Sequence, residues 1–330
     1  MSAASLSPAM AARLTRLLGT GIAAAAGLGS ERGVRHYRLT LTDGRQAFAK
    51  IQDQLHDGNE AAPAAAARQS ATAGETPDPG AAADDPHGFA AEAASLRWLA
   101  EANAVPVPAV LAADESCLVI EWVDTGSPTP ASAARFGSDL ATLHESGADR
   151  FGAPWPGVIA GLPLPNDRSD SWPEWYPANR LLPYARIARD SGTLSAADVR
   201  LVESAAARTP ELAGPPERPS RIHGDCWSGN VLWSRAQWSG VPGSADLGGW
   251  LVDPAAHGGH RETDLAMLAL FGAPYLDRIM AAYQERAPLA DGWRSRVPLH
   301  QLHPLLVHVC LFGAAYRESA LGAARAVLAA

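Results

Sequence analysis

The chain has 330 residues, 47% of them hydrophobic, and a formal net charge of -8, enough to bury a sizeable core and to form two lobes. The acidic balance and the lack of any Lys/Arg-rich run argue against nucleic acid, whose partners concentrate basic residues on one face. Cys117, Cys226 and Cys310 are far apart and form no CxxC pair, so neither a disulfide framework nor a zinc site is expected, and no run reaches the ~20 apolar residues of a membrane span.

In chain order, a short helix is predicted near Ala9 to Leu18. Leu17 to Gly29 follows two arginines like a signal-peptide core, but it is dominated by Ala and Gly and lacks a convincing cleavage pattern, so a cytoplasmic location is expected. Two strands, Val34 to Leu41 and Gln46 to Ile51, flank Thr42-Asp43-Gly44-Arg45, a hairpin signal. From Asp53 to His87 the chain turns to Ala, Gly, Pro and Asp and reads as a disordered or mobile insertion. Phe89 to Glu101 is helical by period, with Phe89, Ala93, Leu96 and Leu99 on one stripe that also contains Glu92. Leu118 to Val123 is a short apolar strand ended by Asp124 to Pro128. Beyond it come a helix carrying Phe136, Leu140 and Leu143, a Trp/Pro-rich loop region from Phe151 to Pro183, a helix from Ser195 to Ala207, and a C-terminal helical run through Leu302, Leu305, Leu306, Val309 and Tyr316. Strands and one helix followed by mostly helices predict an α+β fold, with a small lobe over residues 1-123 and a larger helical lobe over 124-330.

The chemistry concentrates in His223-Gly224-Asp225 with Asn230 five residues after the aspartate. Kinase catalytic loops use this spacing, the aspartate accepting the substrate's hydroxyl proton and the asparagine holding magnesium. Taken alone, the segment could also be a turn with a capping aspartate. Trp250-Leu251-Val252 then delivers Asp253 at a strand end, where a second magnesium ligand belongs. Asp246-Leu247-Gly248 competes for that role, yet Gly243-Ser244-Ala245 before it cannot form a buried strand. Lys50 is the sole lysine of the chain; with Glu92 it supplies either the pair that holds nucleotide phosphates or a rim salt bridge of little worth. Gly27-Leu28-Gly29-Ser30, placed ahead of the first strand, could cover phosphates with its N–H groups. Leu118 to Val123 occupies the hinge position, so Glu121 and Val123 would meet the adenine edge through backbone groups.

These residues resemble the fructosamine (ketosamine) kinases, relatives of the aminoglycoside and choline phosphotransferases. The resemblance rests on His-Gly-Asp-x-Trp-Ser-Gly-Asn at 223 to 230, on Asp253-Pro254-Ala255, and on Gly259-His260-Arg261-Glu262 with Asp264-Leu265-Ala266-Met267 and Leu270-Phe271-Gly272. Tyr37-Arg38, Phe48-Ala49-Lys50, Val107-Pro108, Phe151-Gly152 and Pro165-Asn166 extend it over nearly the whole chain apart from Asp53 to His87. It implies a protein-kinase-like fold and ATP- and Mg2+-dependent phosphorylation of the 3-hydroxyl of a ketoamine, free or protein-bound, with Asp225 as base and Asn230 and Asp253 as metal ligands. The enzyme is expected to act as a monomer. Trp227 would wall the sugar or serve as a structural indole. His260, Arg261 and Glu262 would line the acceptor pocket or form an ionic network. Two departures stand out: Cys226 where the family commonly has Leu, and Ala256-His257-Gly258 where it has aromatic residues. The second puts the acceptor in question, so an aminoglycoside or choline-like alcohol remains an alternative. A nucleotide-binding pseudokinase is disfavoured because Lys50, Glu92, Asp225, Asn230 and Asp253 are all present.

Overall fold

The computed structural model describes residues 6–52, 88–234 and 248–330, so the predicted insertion at 53–87 and the competing Asp246 lie outside the described residues. Two compact units emerge, one from Met1–Ala90 with Val110–Trp122, the other from Ala91–Ala109 with Val123–Ala330. The chain passes between the units three times, so residues 91–109 belong to the larger one.

The smaller unit is built on a five-stranded antiparallel sheet in the order β1-β2-β3-β5-β4, with β1 Ile22–Glu31, β2 Val34–Leu41, β3 Gln46–Gln52, β4 Val110–Asp114 and β5 Cys117–Glu121. The turn between β2 and β3 forms where Asp-Gly predicts it: Asp43 accepts from the Arg45 N–H at 3.0 Å, and Gly44 takes φ +89°. The helix Pro8–Leu18 starts on Ser7, whose hydroxyl accepts from the Met10 N–H, and ends on left-handed Gly19. It buries Met10 and Leu14 among Leu39, Leu41, Ala47 and Ile51 of the sheet.

β1 is a correction to the sequence reading, since Gly27 to Ser30 lies within it rather than ahead of the first strand. Register slips between Gly27 opposite Tyr37 and Gly29 opposite His36. The bulge leaves Leu28 half exposed and Gly29 at φ +132°. Four alanines and two glycines on a largely exposed edge strand give no period-2 signal and have poor strand propensity, which is why pattern reading passes over it.

In the larger unit the helix Phe89–Glu101 buries Phe89, Ala93, Leu96 and Leu99, the predicted stripe. The supposed loop from 151 to 183 is also corrected. It holds the hairpin of β6 Gly157–Ile159 and β7 Leu162–Leu164, then a helix Trp172–Tyr176 that runs through a π turn, Pro177–Leu181, into the helix Leu182–Asp190. Pro173, Pro177 and Pro183 read as breakers, but each falls in the first turn of its segment, where a missing N–H costs nothing. Trp172, Trp175, Tyr176 and Tyr184 from this stretch share a core with Leu299, Leu302, Leu306 and Val309 of the helix Trp293–Phe312. The C-terminal run is two helices, because Gly313 at φ +66° separates Trp293–Phe312 from Ala314–Ala329 and puts Tyr316 in the second. Among the described residues no helix is long and apolar enough to cross a membrane.

Candidate active site

Two short antiparallel pairings frame the catalytic-loop candidate. β8 Ser220–Ile222 pairs with β11 His257–Gly259, and β9 Val231–Ser234 pairs with β10 Gly248–Leu251. The loop at 223–230 therefore leaves β8 and enters β9, while the segment 252–256 connects β10 back to β11. Two hydrogen bonds tie these connections together: Val252 N–H to the Asn230 carbonyl at 3.1 Å and Ala255 N–H to the His223 carbonyl at 3.0 Å. Gly249 on β10 lies against Phe136, where an added Cβ would come within 2.5 Å of the ring.

His223 is completely buried. Its Nδ1 accepts from the Asp225 N–H at 3.2 Å, so its Nε2 carries the proton and donates to the Val252 carbonyl at 2.9 Å. Burial holds this imidazole below its ordinary pKa and keeps it neutral. Gly224 follows at φ +81°, with the Ala255 carbonyl oxygen 2.2 Å from where a Cβ would sit, so glycine is the residue this corner admits. Asp225 then presents its carboxylate to Asn230, whose amide nitrogen donates to Asp225 Oδ2 at 3.0 Å and to the Asp225 carbonyl at 2.9 Å. Burial first, and next the charge of Asp253, push the Asp225 carboxyl up to about 7, against the pull of the Asn230 hydrogen bond. Asp253 stands on the tie between β10 and β11 in a left-handed conformation, φ +54°, a strained placement for a non-glycine residue and one found where a side chain must be aimed.

Asp264 organises this ground from behind. Fully buried near the start of the helix Glu262–Leu270, it accepts the His223 N–H at 2.7 Å through Oδ2 and the Gly224 N–H at 2.9 Å through Oδ1. His144 Nε2 lies 3.2 Å from Oδ2, and His144 Nδ1 is 2.9 Å from the Tyr283 hydroxyl. Burial opposes the Asp264 charge, yet His144, His223 and the backbone donors outweigh it and hold the carboxyl below its ordinary range.

The profile of the fructosamine kinases matches residues 81–330, well over half of the chain. The chain belongs to the fructosamine kinase family. Relatives include a probable ketoamine kinase of Synechocystis sp., 32% identical over 70% of this chain and 76% of its own length. The protein-ribulosamine 3-kinase of Arabidopsis thaliana is 30% identical over 71% and 70%. Among solved structures, a candidate fructosamine-3-kinase from Thermobifida fusca superposes with a TM-score of 0.82 at 48% identity, covering 97% of this chain and 98% of its own. An aminoglycoside phosphotransferase in complex with gentamicin, 12% identical with a TM-score of 0.59 over 99% and 97%, shares the protein-kinase-like fold.

For a fructosamine kinase, the remaining expected site residues divide by placement. Lys50 lies on β3 opposite Leu118, and Glu121 ends β5 opposite Ala47, both in the smaller unit. Glu92 lies on the helix Phe89–Glu101 and Val123 is buried, both in the larger unit. Trp227 is 39% exposed, edge-on to Phe271 at 6.1 Å. Its ring lies across Gly229, whose absent Cβ would sit 2.2 Å from it. His260 is buried and lines a cavity of about 10 Å³, room for one water, with Trp172, Arg180 and His257. Arg261 pairs with Glu217 at 2.7 Å, and Glu262 accepts both arms of Arg296 at 2.9 and 2.6 Å. Of the two readings of this triplet, the ionic network is the one that Arg261 and Glu262 display.

The unusual Ala256-His257-Gly258 also has a packing explanation. Gly258 and Gly152 exchange both backbone hydrogen bonds at 2.9 Å, and a Cβ on Gly258 would lie 1.9 Å from the Arg150 carbonyl oxygen. His257 is buried beside Trp175, ring centroids 5.3 Å apart. Sequence reasoning gave Asp264, His223 and His144 no roles. Asp264, set directly before the apolar run Leu265 to Leu270, was the available signal, because a carboxylate buried with such a run needs donors.

Proposed function

We propose that the protein is an ATP- and Mg2+-dependent ketosamine kinase, transferring the γ-phosphoryl group to a sugar hydroxyl of fructosamine- or ribulosamine-type adducts. The observation that carries this reading is the held geometry of Asp225. Asn230 orients its carboxylate, and the backbone on its N-terminal side is fixed by Asp264 and His223. In this assignment Asp225 accepts the proton of the attacking hydroxyl, its raised pKa matching that task.

The donor set suits magnesium. Asn230 spends its amide nitrogen on Asp225 and keeps Oδ1, a hard oxygen, while Asp253 adds a carboxylate whose charge disfavours that of Asp225. Magnesium, when bound, neutralises charge on the transferred group. Lys50 and Glu92 are assigned to the α- and β-phosphates, the bulged Gly27 to Gly29 stretch to covering them, and Glu121 and Val123 to the adenine edge. Trp227 offers its exposed face to the acceptor sugar. Incubation with ATP, Mg2+ and a fructosyl- or ribulosyl-amine is expected to release ADP. Equal turnover by the wild type and Asp225→Asn across such acceptors would sink the proposal, since loss of the base costs roughly 10²- to 10⁴-fold.

A further inference from the structure

A roomy concavity of the larger unit lies away from the catalytic loop. It is an open cleft of about 530 Å³ among the end of the helix Phe89–Glu101, the segment 146–155 and the start of β8, and none of Asp225, Asn230 and Asp253 lines it. Its size lies within the ~300–1,000 Å³ of small-molecule sites. Four arginines, Arg150, Arg168, Arg218 and Arg221, face it against two carboxylates, Glu101 and Asp149, in a chain of net charge -8. A positive hollow on an acidic protein is a local reversal that draws anions.

The arginines are not consumed by strong pairs. Arg150 meets Asp170 at 3.3 Å and Arg168 meets Asp149 at 3.8 Å, with the acids 77% and 95% exposed. Such contacts contribute little and exchange readily for a better anion. Arg218 donates to the Glu145 carbonyl, and among the described residues no carboxylate pairs with it. Arg221, by contrast, is fixed: its guanidinium lies 4.4 Å over the Trp98 ring, donates to the Trp98 carbonyl and stands 3.5 Å from the exposed carboxylate of Glu101. Trp98 in turn stands edge-on to Trp155 at 5.7 Å. The cleft therefore joins adaptable guanidinium forks to a rigid indole wall.

We propose that this cleft is a binding site for a phosphate monoester carried on a small ring-bearing molecule, a sugar phosphate or a nucleoside monophosphate. Planar guanidinium forks match phosphate oxygens two at a time, more specifically than they match solvent. The indole pair supplies an apolar face for a sugar or base. The inference is independent of the assigned kinase chemistry.

The test is isothermal titration of the full chain with ribose phosphate, adenosine monophosphate and inorganic phosphate, comparing wild type with Arg150→Glu/Arg218→Glu. Both positions are exposed, and a matching thermal midpoint for the double variant checks its fold. Ribose phosphate is expected to bind the wild type and to weaken roughly tenfold or more in the variant. Loss of adenosine monophosphate affinity instead identifies the nucleoside monophosphate as the ring carrier. Overturning outcomes are absence of binding by both esters at millimolar concentration, binding of inorganic phosphate as tight as that of the esters, and ester affinity that survives in the double variant.

Discussion

Asp264 is the most informative single position to perturb, because its role can be separated from that of a metal ligand or base. Its carboxylate serves three partners: the His223 N–H and His144 through Oδ2, and the Gly224 N–H through Oδ1. In Asp264→Asn one oxygen becomes an NH2 group. If the amide oxygen replaces Oδ2, the NH2 faces the Gly224 N–H, donor against donor; turned the other way, it faces the His223 N–H in the same manner. At least one buried N–H is left without an acceptor, at about 1–3 kcal/mol, and the anion that faced the loop's N–H dipoles is lost as well. The expected destabilisation is about 2–4 kcal/mol, read as a lower midpoint in thermal unfolding.

The kinetic consequence is the sharper one. With its anchor gone, the Gly224 corner shifts, and a displacement of ~1 Å at a catalytic group costs on the order of 10²-fold. Steady-state ADP release, measured well below the unfolding transition, is expected to show kcat lowered by about that factor while the KM for ATP changes little. A variant that is less stable yet retains wild-type kcat would refute the claim that Asp264 positions the loop, leaving it a packing residue only. Unchanged stability as well would refute the hydrogen-bond reasoning itself.

Four further outcomes are expected. Gly224→Ala combines φ +81° with a Cβ at 2.2 Å from the Ala255 oxygen, so it should lose at least ~2 kcal/mol and most activity, checked by denaturation and ADP release. Asn230→Ala should raise the Mg2+ concentration for half-maximal rate roughly tenfold or more, seen in a metal titration at saturating ATP. Trp227→Ala should raise the acceptor KM more than the ATP KM, since the indole is exposed. For Glu262, burial raises the pKa, but His300 at 3.5 Å and the two hydrogen bonds from Arg296 prevail and depress it from 4.5 to about 2. A depressed carboxyl contributes stability above its unfolded pKa and loses it as pH falls from about 4.5 towards 2. Glu262→Gln should therefore unfold at a lower temperature than wild type near pH 7, with the gap closing below pH 4.5; a gap constant with pH would refute the linkage.

Much of the site was legible because its signals are local. His223-Gly224-Asp225 with Asn230 and Asp253 sits on short pairings, one end of which the apolar run Trp250 to Val252 already marks. Asp-Gly at 43 and 44 fixed the β2–β3 turn for the same reason. What escaped depends on partners distant in sequence. β1 takes its strand conformation from pairing with β2 rather than from its Ala/Gly composition. The helices after Trp172 persist through three prolines because each falls in a first turn, which register reveals and composition hides. Arg296 reaches Glu262 from 34 residues away, so the triplet at 260–262 looked as suited to substrate as to structure.

Asp225 and Asp264 show how one loop gives two carboxylates opposite properties. Asp264 is fully buried and Asp225 half-buried, and burial disfavours the charge of each. Asp264 meets that cost with two backbone N–H groups and His144, and it stays ionised as a fixed anion. Asp225 has one neutral donor, Asn230, and the charge of Asp253 nearby, and its affinity for a proton rises towards neutrality. The contrast fits the proposed assignment: a carboxylate engaged by several fixed donors is a poor acceptor for a hydroxyl proton, whereas one held by a single amide keeps lone pairs to offer it. The same asymmetry explains why Asp264 must lie behind the loop, where its donors are backbone groups, while Asp225 lies in front, next to the Asn230 oxygen and Asp253 that are assigned to the metal. Were the two environments exchanged, the loop would carry a weakly basic anion in front and an unsatisfied one in its core.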